Sequence, residues 1–257
     1  MKIDCVLTAV NEDPIYIDFI PIFIKSWNKL YPELDVKIVL IANCIPERFE
    51  LYKDNIILFK PIKDVLTGFT AQFIRLLYPC ILNYKNGVII TDMDMMPINR
   101  RYFTEHIKVY DNDKFIYYRG FEVDKNSELS MCYNVATPEI WRDIFKINSV
   151  DDIVNRIKEV KSTTHIVKGH GRAGWSTDQK TLYRKVMEWN KITNNLVRLI
   201  DNKTGFVRLN RIFTFSNGKI QNDNIINGIK SGYYKDYHMF RPMNKYSELN
   251  WEVYNLL

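Results

Sequence analysis

Short, continuous apolar runs alternate with amphipathic stretches over the first hundred residues of the chain. Residues 3–9, 36–42 and 87–90 are such runs, and Gly87-Val88-Ile89-Ile90 has the β-branched character of a strand covered on both faces. Between the first two, residues 15–31 carry Ile20, Phe23, Ile24, Trp27, Leu30 and Tyr31 at three- and four-residue spacing, the apolar stripe of a helix. Pro14 suits the opening of that helix, and Pro21 inside it marks either a kink or a later start. Strand, helix, strand in this order makes a right-handed parallel crossover. A second amphipathic helix runs from Gly68 through Phe73, Leu76, Leu77 and Ile81. Gln72 and Arg75 lie three apart on it, hence on one face.

Further on, residues 115–118 and 131–136 read as strands, the second interrupted by the polar Asn134. Pro138 opens a helix that packs through Ile140, Trp141, Ile144 and Phe145, and Ser149 with Asp152 is a capping pair for a helix ending near Lys161. Ser176 or Thr177 caps another, with Leu182, Val186 and Trp189 on its apolar side. Residues 196–200 and 206–210 are weak strand candidates, and 218–229 reads as irregular loops or a poorly signalled helix. This alternation predicts an α/β fold with a central, mostly parallel mixed sheet flanked by helices.

Composition narrows the class. At 257 residues and 46% hydrophobic, with no linker-like shift, the chain reads as a single domain, residues 1–97 forming one half and 98–257 the other. The formal charge of +6 is dispersed among interleaved acids, so no nucleic-acid partner is expected. A mild positive field also favours anionic nucleotides or acidic membrane surfaces. Cys5, Cys44, Cys80 and Cys132 form no C-x-x-C pair and are read as reduced. With no leader and no run of membrane-spanning length, a soluble cytoplasmic enzyme is expected. The first strand leads into Thr8-Ala9-Val10-Asn11-Glu12 without G-x-G-x-x-G, which argues against a dinucleotide site.

The candidate chemistry gathers at Thr91-Asp92-Met93-Asp94-Met95-Met96-Pro97, directly after the third apolar run. Ligand crevices of open α/β sheets lie beyond the carboxyl ends of strands. In an extended segment, residues two apart face one side, so Asp92 and Asp94 are expected to converge on one point. Two such carboxylates repel unless a cation lies between them, and Mn²⁺ or Mg²⁺ suits their hard oxygens. The bland alternative is a pair of turn or cap acids. A second focus is Lys168-Gly169-His170-Gly171-Arg172-Ala173-Gly174-Trp175-Ser176-Thr177-Asp178-Gln179, a glycine-rich loop able to approach a ligand, with an acid at a helix start.

The D-x-D after an apolar strand, with Gln72 and Arg75 on the helix before it, resembles nucleotide-sugar-dependent glycosyltransferases of the GT-A fold, of the glycogenin and bacterial galactosyltransferase type. The resemblance implies a donor pocket at Thr8, Ala9 and Asn11, with Gln72, Arg75, Asp92 and Met93 near the donor's sugar and phosphates. Tyr133-Asn134-Val135-Ala136 matches the family's aromatic-Asn-small-Gly segment in its first two positions and departs at Val135 and Ala136, with Asn134 as a sugar contact. Asp178 would face the anomeric carbon as the catalytic carboxylate, beside Gln179, and Arg172 would add charge at the diphosphate. His238 would join Asp92 and Asp94 as a metal ligand, with His165 and His170 as competitors. The implied reaction moves a sugar from a nucleotide-diphosphate sugar, a UDP-sugar first among them, to a glycan, protein or lipid-linked hydroxyl. A sugar nucleotidyltransferase stays open, although it should carry a G-x-G-T-R-type loop, as does a non-catalytic nucleotide- or glycan-binding protein of the same fold.

Overall fold

The computed structural model describes residues 1–120, 127–167, 169, 171–211 and 213–257. The chain enters on β1 (Ile3–Asn11), passes a short 3₁₀ turn into α1 (Ile20–Leu30) and returns on β2 (Asp35–Ile41) and β3 (Ile56–Phe59). Pro21 lies in the first turn of α1, where its missing N–H costs nothing, so the later start holds and there is no kink. Next come α2 (Thr67–Leu77), β4 (Gly87–Ile90), β5 (Met95–Pro97), α3 (Tyr102–Glu105), β6 (Phe115–Gly120) and β7 (Asn134–Ala136). Then α4 (Pro138–Phe145), α5 (Val150–Thr163) and α6 (Thr177–Thr193) lead to β8 (Leu196–Ile200), α7 (Asp201–Thr204) and β9 (Arg208–Leu209). The hairpin β10 (Phe215–Ser216) and β11 (Lys219–Ile220), α8 (Asp223–Lys230), β12 (Asp236–His238) and α9 (Met243–Asn255) complete it.

Among the described residues the large sheet has the order β3-β2-β1-β4-β7-β6-β8. Its pairs are parallel except where β7 runs antiparallel to β4 and β6. Both faces are covered, which is why the strands read as unbroken apolar runs. Leu7, Ala9, Val39, Ile41, Val88 and Ile90 pack under α2, α4 and α6, while Val6, Val10, Ile38, Leu40 and Ile89 pack with α1 on the other face. Ser149 caps α5 by accepting from the Asp152 amide, as its spacing predicts.

Several elements differ from expectation. Of the predicted strand 131–136, Asn134–Ala136 forms β7 and the residues before it lie outside the strand. Residues 218–229 form a strand of the hairpin and then α8, whose cap is Asn222, accepting from the amides of Asn224 and Ile225. Neither Ser176 nor Thr177 caps α6 through its side chain: Ser176 holds the cap position, but the Thr177 hydroxyl donates to the Gly174 carbonyl. A second sheet, β5-β12-β9, lies beyond the carboxyl end of β4. There β12 runs antiparallel to β5, pairing His238 with Met95.

Candidate active site

Three elements of the large sheet and its helices meet where β4 ends. After Ile90 the chain makes a turn closed by the Met95 amide on the Asp92 carbonyl, and β5 follows. The two D-x-D acids therefore lie in a turn, and their side chains part: Asp92 pairs with Arg75, whereas Asp94 pairs with Arg211, His238 and Arg241. The alternation of an extended strand does not apply to them.

Arg75 joins the D-x-D turn to the start of α6. It projects from α2 and is buried, which excludes a solvated surface role. One guanidinium nitrogen donates to the Asp92 carboxylate and to the Thr91 carbonyl, and the other lies 3.3 Å from Asp178 Oδ2. Its Nε donates to the Gln72 carbonyl, so the two neighbours on the helix face meet through backbone, and the half-buried Gln72 side chain takes no part in that bond. Asp178 is only 4% exposed, in the first turn of α6, and accepts the Gln179 amide at 2.9 Å. Burial pushes its carboxyl up to about 6, against the opposing pull of Arg75. A helix start stabilises a carboxylate, yet here desolvation wins, and the group is poised near neutrality to hold or release a proton.

Asp94 is the opposite case. Burial disfavours its charge, but the hydrogen bond and charge of His238, followed by Arg211 and Arg241, hold the carboxyl down at about 2. Its backbone carbonyl accepts the Met239 amide at 2.9 Å, so the β12 segment grips the turn through both main chain and side chain. Arg241 also donates to the Tyr16 hydroxyl and lies over that ring, 5.3 Å from its centroid. Arg211 and Arg241 are not legible as site residues, since each lies in an irregular segment with no periodic signal, and Tyr16, read within the helix over 15–31, lies in the turn before it. Tyr16 was signalled only by its place shortly after β1.

The remaining candidates divide. Asn134 is fully buried on β7, opposite Ile90, and its amide nitrogen donates to the Ser130 and Met131 carbonyls. Among the described residues its Oδ1 and the buried Thr91 Oγ1 have no hydrogen-bond partner, an open demand for polar contact at the end of β4. Asn11 donates to the Thr67 hydroxyl at 3.1 Å, bridging β1 to the start of α2, and Ala9 lies in the same strand. Thr8 is buried with its hydroxyl on the Thr91 carbonyl, a brace between strand ends, and the Met93 side chain packs into the core. Gln179 follows Asp178 with its carbonyl accepting the Leu129 amide. Arg172 is exposed in the loop before α6 and, among the described residues, pairs with none of these carboxylates. His165 is exposed and lines a separate cavity with Asp64, Lys161 and Ile166, while Lys168 and His170 lie outside the described residues.

As a metal centre the donor set is partly assembled. Asp94 Oδ2 and His238 Nε2 are 3.2 Å apart, close to the ~3.0 Å expected between neighbouring ligands on one octahedral ion with bonds of about 2.1 Å. The carboxylate suits either Mn²⁺ or Mg²⁺, and the imidazole, a borderline donor, favours Mn²⁺ of the two. Among the described residues no three potential ligands converge, because Asp92 is committed to Arg75. The chemistry of Asp94 and His238 fits a divalent ion, and a third bond from Asp92 would require it to leave Arg75.

Arg75→Ala should leave both Asp92 and Asp178 without their shared counter-charge. The expected result is a loss in kcat/KM of about 1.5–3 kcal/mol and a rise of the activity's acid limb to higher pH, since the charge that pulls Asp178 down is gone. Unchanged kinetics and an unchanged pH profile would reduce Arg75 to a packing residue.

No protein-family model matches the chain, and no curated protein matches it in sequence. Among solved structures, the glycosyltransferase GlyE of Streptococcus pneumoniae TIGR4 is similar at 15% identity, with a TM-score of 0.51 over 99% of this chain and 60% of that one. Galactosyltransferase LgtC, crystallised in complex with donor and acceptor sugar analogs, aligns over 96% of this chain and 95% of its own at 12% identity and a TM-score of 0.49. The mixed, mostly parallel sheet with its flanking helices is a GT-A fold.

Proposed function

We propose that the chain is a metal-dependent glycosyltransferase that moves a sugar from a nucleotide-diphosphate sugar to a hydroxyl acceptor. The observation that carries this reading is the buried Arg75, which ties the D-x-D acid Asp92 to Asp178, two carboxylates 86 positions apart in sequence, at the carboxyl end of the central strand. A dedicated guanidinium between the Asp92 side chain and a second acid raised to about 6 is an arrangement for handling charge at a reacting centre. The fold shared with GlyE, itself named a glycosyltransferase, supports the same direction.

Asp94 and His238, with Asp92, would hold Mn²⁺ or Mg²⁺, which when bound offsets the charge growing on a diphosphate leaving group. Arg241 and Tyr16 border the same space and offer a cation and a phenol to the phosphates and the nucleoside. Asn134 Oδ1 and Thr91 Oγ1, both without a partner among the described residues, are what the hydroxyls of a sugar would satisfy. Asp178 would serve the anomeric carbon. In an inverting reaction it removes the acceptor's proton, and in a retaining one it stabilises the positive charge beneath the sugar; the Asn134 and Asp178-Gln179 pattern favours the retaining course.

The test is a thermal-shift panel of nucleotide sugars, UDP-sugars first, with and without Mn²⁺. A donor bound only by the folded protein raises the melting temperature, by an increment that grows with its concentration. The expected outcome is a shift that requires the metal and disappears in Asp94→Asn. A panel without any shift, in a protein that binds Mn²⁺, would remove the nucleotide-sugar reading.

A further inference from the structure

Asp94 has more nitrogen partners than one carboxylate oxygen can serve. Arg211 Nη2 at 2.5 Å, His238 Nε2 at 3.2 Å and Arg241 Nη1 at 3.5 Å all converge on Oδ2. That oxygen has two lone pairs. The three groups are also held differently. Arg241 keeps a second partner in Tyr16. Arg211 is pinned through Nε to the Met239 carbonyl, so its other end turns about that pin and, at 22% side-chain exposure, is reached from solvent.

Resting on the reading above, we infer that Arg211 and the divalent cation compete for Asp94, and that the displaced Arg211 then serves the donor's diphosphate. The physical sequence is one of charge. A buried carboxylate without a counter-charge is costly, so Arg211 neutralises Asp94 while no cation is there. A cation taking Asp94 leaves a guanidinium beside a like charge, and that repulsion keeps the cation weakly bound by itself. The diphosphate relieves it by accepting both. Cation and nucleotide therefore bind with positive coupling, each strengthening the other by the same factor. Arg211 is the positioning residue that creates the coupling.

The experiment measures Mn²⁺ affinity by the paramagnetic resonance of the free ion, and UDP affinity by calorimetry with and without Mn²⁺. It compares wild type, Arg211→Gln, Arg211→Lys and Asp94→Asn, each checked for folding by near-ultraviolet circular dichroism. Arg211→Gln should bind Mn²⁺ alone tighter by about 5-fold or more, bind UDP in saturating Mn²⁺ weaker by about 10-fold or more, and lose most of the coupling. These changes have opposite signs, which a merely structural role would not give. Arg211→Lys cannot hold Met239 and Asp94 together, so it should also bind Mn²⁺ tighter, yet keep near-normal UDP affinity because its charge remains; this variant carries the test if the glutamine form does not fold. Mn²⁺ binding lost in Asp94→Asn but unchanged or weaker in both Arg211 variants would overturn the competition and leave the metal assignment standing. No Mn²⁺ binding in any form would overturn the metal assignment, and the competition with it.

Discussion

Asp178→Asn should transfer sugar about 10²–10⁴-fold more slowly than wild type while binding donor and Mn²⁺ normally. The substitution keeps the shape of the side chain and its bond from the Gln179 amide, but removes the ability to carry charge or accept a proton. The wild type should gain activity as pH rises through about 6, where the buried carboxyl ionises, and the variant's residual activity should lack that limb. Stability supplies an independent readout. A carboxyl raised in the folded state binds its proton more tightly folded than unfolded, so its contribution is full below pH ~4 and is lost as pH rises through about 6. Between those limits the melting temperature of wild type should fall relative to Asp178→Asn. A variant with near-normal kcat would make Asp178 a helix-start acid and leave the catalytic carboxylate unidentified.

Asp236→Ala should be among the most destabilising single changes in the molecule, costing about 3–5 kcal/mol. Asp236 is fully buried at the start of β12 and accepts Arg208 Nε at 3.0 and 2.9 Å on its two oxygens, together with the Tyr133 hydroxyl at 2.9 Å. Truncation strands a largely buried guanidinium, and that uncompensated charge sets the size of the loss. For a chain of this length the melting temperature should drop by roughly 6–20 °C, at about 2–4 °C per kcal/mol. A loss under 1 kcal/mol would show that water or a rearranged Arg208 fills the gap. Because Asp236 precedes His238 by two residues on the same strand, weakened Mn²⁺ binding is expected even in the fraction that stays folded.

What could be read from the sequence was whatever rests on local periodicity or local caps. The runs of β1, β2 and β4, the stripe of α1, the Ser149 cap and the solitary polar Asn134 all carry their signal within a few residues. Arg75 was legible because a helix fixes the direction of its side chain. The contacts of Asp92 and Asp94 were not, since a turn at 92–95 replaces the alternation of a strand and sends the two acids to different partners. Arg211 and Arg241 meet Asp94 across 117 and more residues, through the pairing of β12 with β5, and no window along the chain contains that pairing. The Asp236, Arg208 and Tyr133 cluster is hidden in the same way. Its members are ordinary polar residues until the second sheet brings them together.

The small β5-β12-β9 sheet also separates two events in the protein's synthesis. By Ile200 a growing chain holds every strand described for the large sheet, whereas Asp94 still lacks Arg211, His238 and Arg241, and β5 lacks β12, its partner in the small sheet. At about 5–20 residues per second the ribosome needs roughly 2–8 s more to reach Arg241. Until those residues arrive, Asp92 already has Arg75 while Asp94 has none of its three partners, so one half of the strand-end site precedes the other in the order of synthesis.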